Sequence, residues 1–302
     1  EMGKGTTFTF RIFTENTYPD ALHKEEKAES IPERPENLKE EDNDILPVIL
    51  IVEDNDDIRE YIATSFSNNY HIMTATNGKE GIEQALKYIP DIIISDIMMP
   101  VMDGIELCKL IKEDVRTSHI PVILLTAKDS IQDKEEGYES GADSYLTKPF
   151  SAKLLHSRVH NLLESRKKLA SLITNRTKGL KAEQSQEAIK LSRLDEEFLN
   201  RFTAIVEENI DMDKLDMSFM MDKMNMSHST LYRKIKGLTG ISCNEFIRKI
   251  RLKNSLRLLM EESLNVSEAA YASGFNDLGY FRTCFKEEYG MVPSEYIKQQ
   301  KL

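Results

Sequence analysis

Cysteine is scarce in this chain, and long apolar runs are missing. Cys108, Cys243 and Cys284 stand far apart and form no CxxC pair. That argues against a disulfide scaffold and for free thiols in a reducing compartment. No apolar run approaches the roughly 20 residues that a membrane helix needs, and no secretory h-region is present. The chain opens on Glu1 without an initiator methionine, as a fragment would. An excess of positive charge is missing too: the formal net charge is −11. Taken alone, that total speaks against nucleic-acid binding, but the charge is uneven. Residues 46–166 carry 20 acids and 12 bases, residues 167–195 carry 3 acids and 7 bases, and residues 196–302 carry 16 and 15. Local clustering of Lys and Arg therefore matters more than the total.

What is present is ordinary for a globular protein: 302 residues, 40% hydrophobic and 30% charged, enough for two domains and a linker. Thr7 to Phe13 alternate like a strand. Residues 14–46 are rich in Glu, Lys, Asn, Asp and Pro, a composition that cannot bury a core and reads as a flexible linker. Residues 47–166 alternate strand and helix patterns. The strands are Val48–Val52, Ile72–Ala75, Ile92–Ile94, Pro121–Leu125 and Ser144–Leu146. The helices are Ile58–Phe66, Lys79–Tyr88, Gly104–Lys112, Ser130–Ser140 and Ala152 onward. Five such units in about 120 residues predict an α/β doubly wound, five-stranded parallel sheet. Residues 167–195 read as a helical linker. Leu155, Leu162 and Leu169 fit either a short coiled-coil seam or a helix packed on its own sheet. Residues 196–302 show short helices broken by Gly and Ser, with one longer helix from Cys243 to Glu261, and predict an all-α domain.

The chemistry gathers at strand ends. Glu53 and Asp54, Asp96, Thr126 and Lys148 each close a short apolar run, and ligands bind at that edge of an open parallel sheet. Mg²⁺ takes a few carboxylates, waters and phosphate oxygens. Glu53, Asp54 and Asp96 can supply such carboxylates. Asp96 can serve as a nucleophile that accepts a phosphoryl group. Lys148 supplies a positive point charge and Thr126 a hydrogen-bond donor.

These residues resemble the receiver domain of bacterial two-component response regulators. The resemblance runs through Val52-Glu53-Asp54-Asn55, Ile94-Ser95-Asp96-Ile97-Met98-Met99-Pro100, Met102-Asp103-Gly104, Leu125-Thr126-Ala127 and Lys148-Pro149-Phe150. It implies a flavodoxin-like fold and phosphorylation of Asp96 by a histidine kinase. It also implies Mg²⁺ held by Glu53, Asp54, Asp96 and the backbone of Met98. Tyr145, three residues before the lysine, is then the switch aromatic, following Thr126 inward and repacking the face of the fourth helix, fifth strand and fifth helix.

Two segments of the C-terminal part read as helix-turn-helix units. The first runs from Phe219 through Ser227, a good N-cap, to a helix carrying Tyr232, Arg233, Lys234 and Lys236. The second runs from Val266 through a turn at Gly274, with Asp277 capping a helix that carries Tyr280, Arg282, Thr283 and Lys286. Basic and hydroxyl groups on an exposed helix face suit a major groove. Met226–Lys236 with Thr239-Gly240, Ala270–Lys286, and Gly290–Tyr296 resemble the AraC/XylS-type DNA-binding domain. The base-reading positions that this implies are Ser229, Tyr232 and Arg233, then Leu278, Gly279 and Thr283. Gly279 has no side chain to read with, so shape or phosphate contacts are expected there.

Gly3-Lys4-Gly5-Thr6-Thr7-Phe8 resembles the last strand of a histidine-kinase ATP-binding domain. The expected organisation is thus a kinase remnant (1–13), a linker (14–46), a receiver (47–166), a helical linker (167–195) and a DNA-binding domain (196–302). That suggests the C-terminal part of a hybrid sensor kinase. This chain is expected to carry no kinase activity and to lie in the cytoplasm, below a parent anchored in the inner membrane. Its expected partners are double-stranded DNA, a histidine kinase domain and a second copy of itself when phosphorylated. A phosphohydrolase with an aspartate nucleophile would want an acid two residues after Asp96, where Met98 stands. A module that merely docks a kinase would not need two helix-turn-helix units.

Overall fold

The computed structural model describes residues 46–127, 141–176, 191–210, 215–262 and 264–300. The expected helix Ser130–Ser140 and the expected strand Thr7–Phe13 lie outside them, as does nearly all of the expected linker 14–46.

Five strands form, β1 (Val48–Val52), β2 (His71–Ala75), β3 (Ile92–Asp96), β4 (Val122–Thr126) and β5 (Ser144–Thr147), and runs of Ile, Leu and Val make the central three, β1, β3 and β4. They pair in parallel in the order β2-β1-β3-β4-β5. Such runs suit strands covered on both faces. The pleat divides them: Leu50, Val52, Ile93, Val122 and Leu124 face one core, and Ile49, Ile51, Ile92, Ile94, Ile123 and Leu125 face the other. Helices α2 (Gly78–Tyr88) and α3 (Gly104–Glu113) cover the first face through Ala85, Leu107 and Ile111. Helix α1 (Asp56–Phe66) and the start of α4 (Ala152–Arg176) cover the second through Ile62, Phe66, Leu155 and Val159. Each large aliphatic side chain so buried contributes about 1.5–3 kcal/mol. Asn55, Asn77 and Asp103 cap α1, α2 and α3 by accepting backbone N–H groups of the first turn.

Helix α4 is 25 residues long and spans about 37 Å. Its heptad-spaced leucines divide between two cores of this chain. Leu155 and Leu162 pack in the sheet core, and Leu169 packs on the helical domain. One helix thus serves two cores.

The helical domain comprises α5 (Arg193–Glu208), α6 (Met217–Met224), α7 (His228–Thr239), α8 (Cys243–Met260), α9 (Val266–Ala272), α10 (Leu278–Tyr289) and α11 (Pro293–Gln300). It has two cores divided along α8. Phe246, Ile247 and Ile250 join α5, α6 and α7, whereas Leu252, Leu258 and Leu259 join α9, α10 and α11. Gly274 turns α9 toward α10 at φ 78°, and a Cβ there would stand 2.1 Å from the Ile210 carbonyl oxygen. Only glycine meets both demands.

Candidate functional site

The parallel register brings the ends of β1, β3, β4 and β5 to one edge. Val52 lies beside Ser95, Asp96 beside Leu125, and Thr126 beside Thr147. The residues that follow inherit that placement. Glu53 and Asp54 leave β1, Asp96 ends β3, Thr126 ends β4 and Lys148 follows β5. One carboxylate oxygen from each of Glu53, Asp54 and Asp96 lies within 4.8 Å of the others. The Lys148 Nζ donates to Glu53 at 2.8 Å and lies 3.1 Å from Asp96 Oδ1. Asp96 Oδ1 also accepts the Ile97 N–H at 2.9 Å.

Burial differs across the cluster. Glu53 is only 1% exposed and Asp96 is buried, whereas Asp54 is open to solvent. Burial pushes the Glu53 carboxyl above its usual range; the Lys148 hydrogen bond pulls it back, and the Asp96 charge pushes it up again. Three converging carboxylates are hard oxygen donors, the type that Mg²⁺ prefers, so the donor set fits that ion. The close approach of α3 shapes the floor. A Cβ on Gly104 would stand 2.0 Å from the Asp96 carbonyl oxygen, so only glycine lets α3 start there.

Thr126 is buried at the end of β4, and its carbonyl accepts the Lys148 N–H at 2.6 Å. Tyr145 lies opposite Leu124 on β5, half-buried against the core on the α2–α3 face. Met98 is 65% exposed in the loop after Asp96. In that loop Val101 takes φ 72° and the Met102 N–H bonds the Pro100 carbonyl at 2.8 Å, a tight turn.

The second set of predicted residues lies on α7 and α10. Asn225, in the left-handed region at φ 54°, turns α6 toward α7, and Ser227 caps α7. Asp277 caps α10. Ser229 and Arg233 are exposed and Tyr232 is half-buried. The Arg233 guanidinium donates to the Tyr88 carbonyl at the end of α2. On α10, Leu278 packs against the domain core, Gly279 is exposed, and the Thr283 hydroxyl donates back to the Gly279 carbonyl at 3.0 Å.

Lys234 departs from expectation. Read with its neighbours as part of a basic exposed face, it is instead 0% exposed. The reason is its place on the helix: Leu231, Ile235 and Leu238 form the apolar stripe, and Lys234 sits within that i, i+3, i+4, i+7 pattern. Its ammonium lies 2.6 Å from Asp195 Oδ1 and 3.1 Å from Ser118 Oγ. Ser118, His119 and Asp195 are thereby brought to α7, and nothing in their local sequence singles them out.

A cluster of three carboxylates at the edge of a 2-1-3-4-5 parallel sheet, followed by two helix-turn-helix units, defines a class: a receiver joined to a DNA-binding type of domain. The comparisons give the family. Residues 49–160 match the response regulator receiver domain, and residues 220–299 match a helix-turn-helix domain of the AraC type. The chain thus contains a response regulator receiver domain followed by a helix-turn-helix domain. It is similar to Histidine kinase P4 of Formosa agariphila, 41% identical over 248 residues, which are 82% of this chain and 18% of that protein. It is also similar to the DNA-binding dual master transcriptional regulator RpaA of Synechocystis, 40% identical over 119 residues. That match covers 39% of this chain and 49% of RpaA. Among solved structures, the Francisella response regulator 1452 receiver domain is 40% identical, covering 40% of this chain and 98% of that one, with a TM-score of 0.37. The chain therefore spans a fraction of these full-length relatives, about a fifth of one and half of the other.

Proposed function

We propose that this chain is a phosphorylation-controlled transcription regulator in which Asp96 is the phosphoacceptor and α7 and α10 carry the DNA contacts. The observation behind this reading is the position of Asp96. Its carboxylate ends β3 at the sheet edge, 3.1 Å from the Lys148 ammonium and among the acids Glu53 and Asp54.

In the proposed step an Asp96 carboxylate oxygen attacks the phosphorus of a phosphohistidine on a histidine kinase domain. The P–O bond forms as the P–N bond breaks, and the electron pair returns to the imidazole. Lys148 stabilises charge on the transferring group from one side, and Thr126 donates to one of its oxygens. Glu53, Asp54, Asp96 and the backbone of Met98 would hold Mg²⁺, which would supply charge neutralisation for the phosphoryl group. Tyr145 then turns further into the core beside Leu124, which changes the face around β5 and α4. Two phosphorylated copies pair and present their helix-turn-helix units to double-stranded DNA. Ser229, Tyr232 and Arg233 are the proposed base readers of the first unit. In the second unit Leu278, Gly279 and Thr283 offer little beyond shape and backbone contacts, since Leu278 faces its own core.

The kinase is proposed to belong to the same polypeptide, as in the hybrid organisation that residues 1–13 suggest, with this region on the cytoplasmic side of an anchored parent. Among the described residues no helix is long and apolar enough to cross a membrane.

The deciding experiment is labelling with acetyl phosphate and Mg²⁺. Asp96→Asn should lose the acyl phosphate altogether, seen as loss of the hydroxylamine-sensitive mass increment. Equal labelling of the variant would show that another residue carries the group.

A further inference from the structure

Receiver and first helix-turn-helix unit meet at a buried polar junction. Ser118 lies in the turn that leads into β4, Asp195 in the first turn of α5 and Lys234 midway along α7. The Lys234 ammonium donates to Asp195 Oδ1 at 2.6 Å and to Ser118 Oγ at 3.1 Å. The Ser118 hydroxyl donates to the same Asp195 oxygen at 2.7 Å. The three residues are 3%, 1% and 0% exposed in the order Ser118, Asp195, Lys234. The Lys234 ammonium also lies 4.9 Å above the Phe198 ring.

Next to this triad, the His119 imidazole lies against the backbone of α7. A Cβ at Gly237 would stand 2.7 Å from His119 Cδ2, so the receiver approaches α7 as closely as a bare glycine permits. Four residues back on the same face, Arg233 donates to the Tyr88 carbonyl. Further along, the Thr174 hydroxyl of α4 donates to the Thr239 carbonyl at 2.6 Å.

We infer that the receiver clasps α7 through Ser118, His119 and the end of α2, and so holds the first helix-turn-helix unit in a form that cannot enter a DNA groove. The inference rests on the DNA-binding reading above. Its physical basis is space. A helix with its side chains is about 10–12 Å across, and a major groove of about 12 Å admits one helix and no more. Arg233, proposed as a base reader, points at the carbonyl end of α2. A duplex in contact with Arg233 would have to occupy the volume that holds Tyr88.

The clasp is also built to open. A permanent junction is mostly apolar, whereas this one sets the receiver's Ser118 and His119 against a buried ion pair of the helical domain and leaves polar atoms short of partners. Among the described residues, Asp195 Oδ2 and His119 Nδ1 are buried with no hydrogen-bond partner. Orphaned polar atoms and a desolvated ammonium weaken the closed form relative to one that returns them to water. Ser118 stands in the turn before β4, whose far end carries Thr126. A shift of that strand at the phosphoryl site reaches the clasp through a single rigid element.

The test uses the full chain with Ser118→Val, with Gly237→Ala, and with both, without phosphodonor. Ser118→Val removes the receiver's hydroxyl and leaves the DNA-binding domain untouched. Gly237→Ala favours the helix intrinsically while driving a methyl group into His119. Hydrogen exchange of α7 and of the turn before β4 reads the clasp, and retention of a random-sequence duplex pool reads DNA binding. The expected result is faster exchange in both segments together with a gain in DNA retention of about tenfold, a usual size for coupling between sites. Faster exchange with no gain in retention would overturn the inference and leave the DNA-binding reading standing. So would a wild-type chain that stays protected in both segments while bound to DNA. If the double variant remains as protected as the wild type, these residues do not hold the domains together, and the inference also falls. Retention by no form of the chain, opened or closed, would remove the DNA-binding reading itself and the inference with it. Should Gly237→Ala fold poorly by circular dichroism, Ser118→Val alone carries the same outcomes.

Discussion

The two helix-turn-helix units share one backbone plan and differ in what their second helices bury. Helices α7 and α10 are each 12 residues long, capped by Ser227 and Asp277 at the start and by Gly240 and Gly290 at the end. Fifty residues separate each position of α7 from its counterpart in α10. At the slot where α10 buries Cys284, α7 buries Lys234. Where α10 shows Glu287 to solvent, α7 has Gly237 beneath His119. The same motif is therefore free-standing in one unit and part of a larger junction in the other. A recognition helix is defined by its caps and turn, but what it is available to touch depends on its neighbours.

The sharpest way to break this contrast is to remove the ammonium. Lys234→Met leaves the Asp195 carboxylate buried without its cation and should cost about 3–5 kcal/mol. Urea unfolding measures it. The same change at exposed Lys286 should move stability by less than about 0.5 kcal/mol. Pairing Lys234→Met with Asp195→Leu should recover most of the loss, because the desolvated charge then disappears from both sides. A small effect at Lys234 would mean that its ammonium reaches water in solution.

Acid should separate the two units next. Burial holds the His119 imidazole well below its usual range, with the Lys234 charge pushing the same way and Asp195 opposing; Arg166 and Lys112 add further positive charge. The folded form thus favours the neutral ring. Its contribution is complete above the unfolded value, about pH 6.5, and is lost as pH falls toward the folded value. Each pH unit below 6.5 should remove about 1.4 kcal/mol until that folded value is reached. Thermal unfolding between pH 7 and pH 5 tests this. His119→Phe should flatten the profile in that window.

The smallest test sharpens the likeness. Gly240 and Gly290 both sit at positive φ, 74° and 80°. Alanine at either should cost about 1 kcal/mol. A markedly larger loss at Gly240, where an added Cβ would stand 3.5 Å from the Ala170 Cβ, would mean that α4 presses on the first unit, since a Cβ at Gly290 would meet nothing within 4 Å.

Much of the fold was legible because its signals are local. Buried parallel strands need unbroken Ile, Leu and Val, and Asn55, Ser227 and Asp277 announce helix starts by their own side-chain chemistry. Glu53, Asp54, Asp96 and Lys148 could be grouped because parallel strands deliver their carboxyl ends to one edge. The reading failed at Lys234, where a cation was assigned to solvent although the helical stripe Leu231, Ile235 and Leu238 already enclosed its position. Period outranked charge there. The spacing of Leu155, Leu162 and Leu169 left a seam and a sheet-packed helix both open, because seven-residue spacing also serves a helix shared between two cores.

By itself the amino-acid order determined the layered sheet, the acidic edge and the paired recognition helices, since each follows from residues close in sequence or from strand direction. Only the tertiary structure decided that Ser118 and Asp195, 77 positions apart, would share an oxygen with Lys234, and that Arg233 would face Tyr88. No periodicity encodes a contact between surfaces that meet only after two cores have formed, because its free energy is a small remainder of burial and desolvation at the junction.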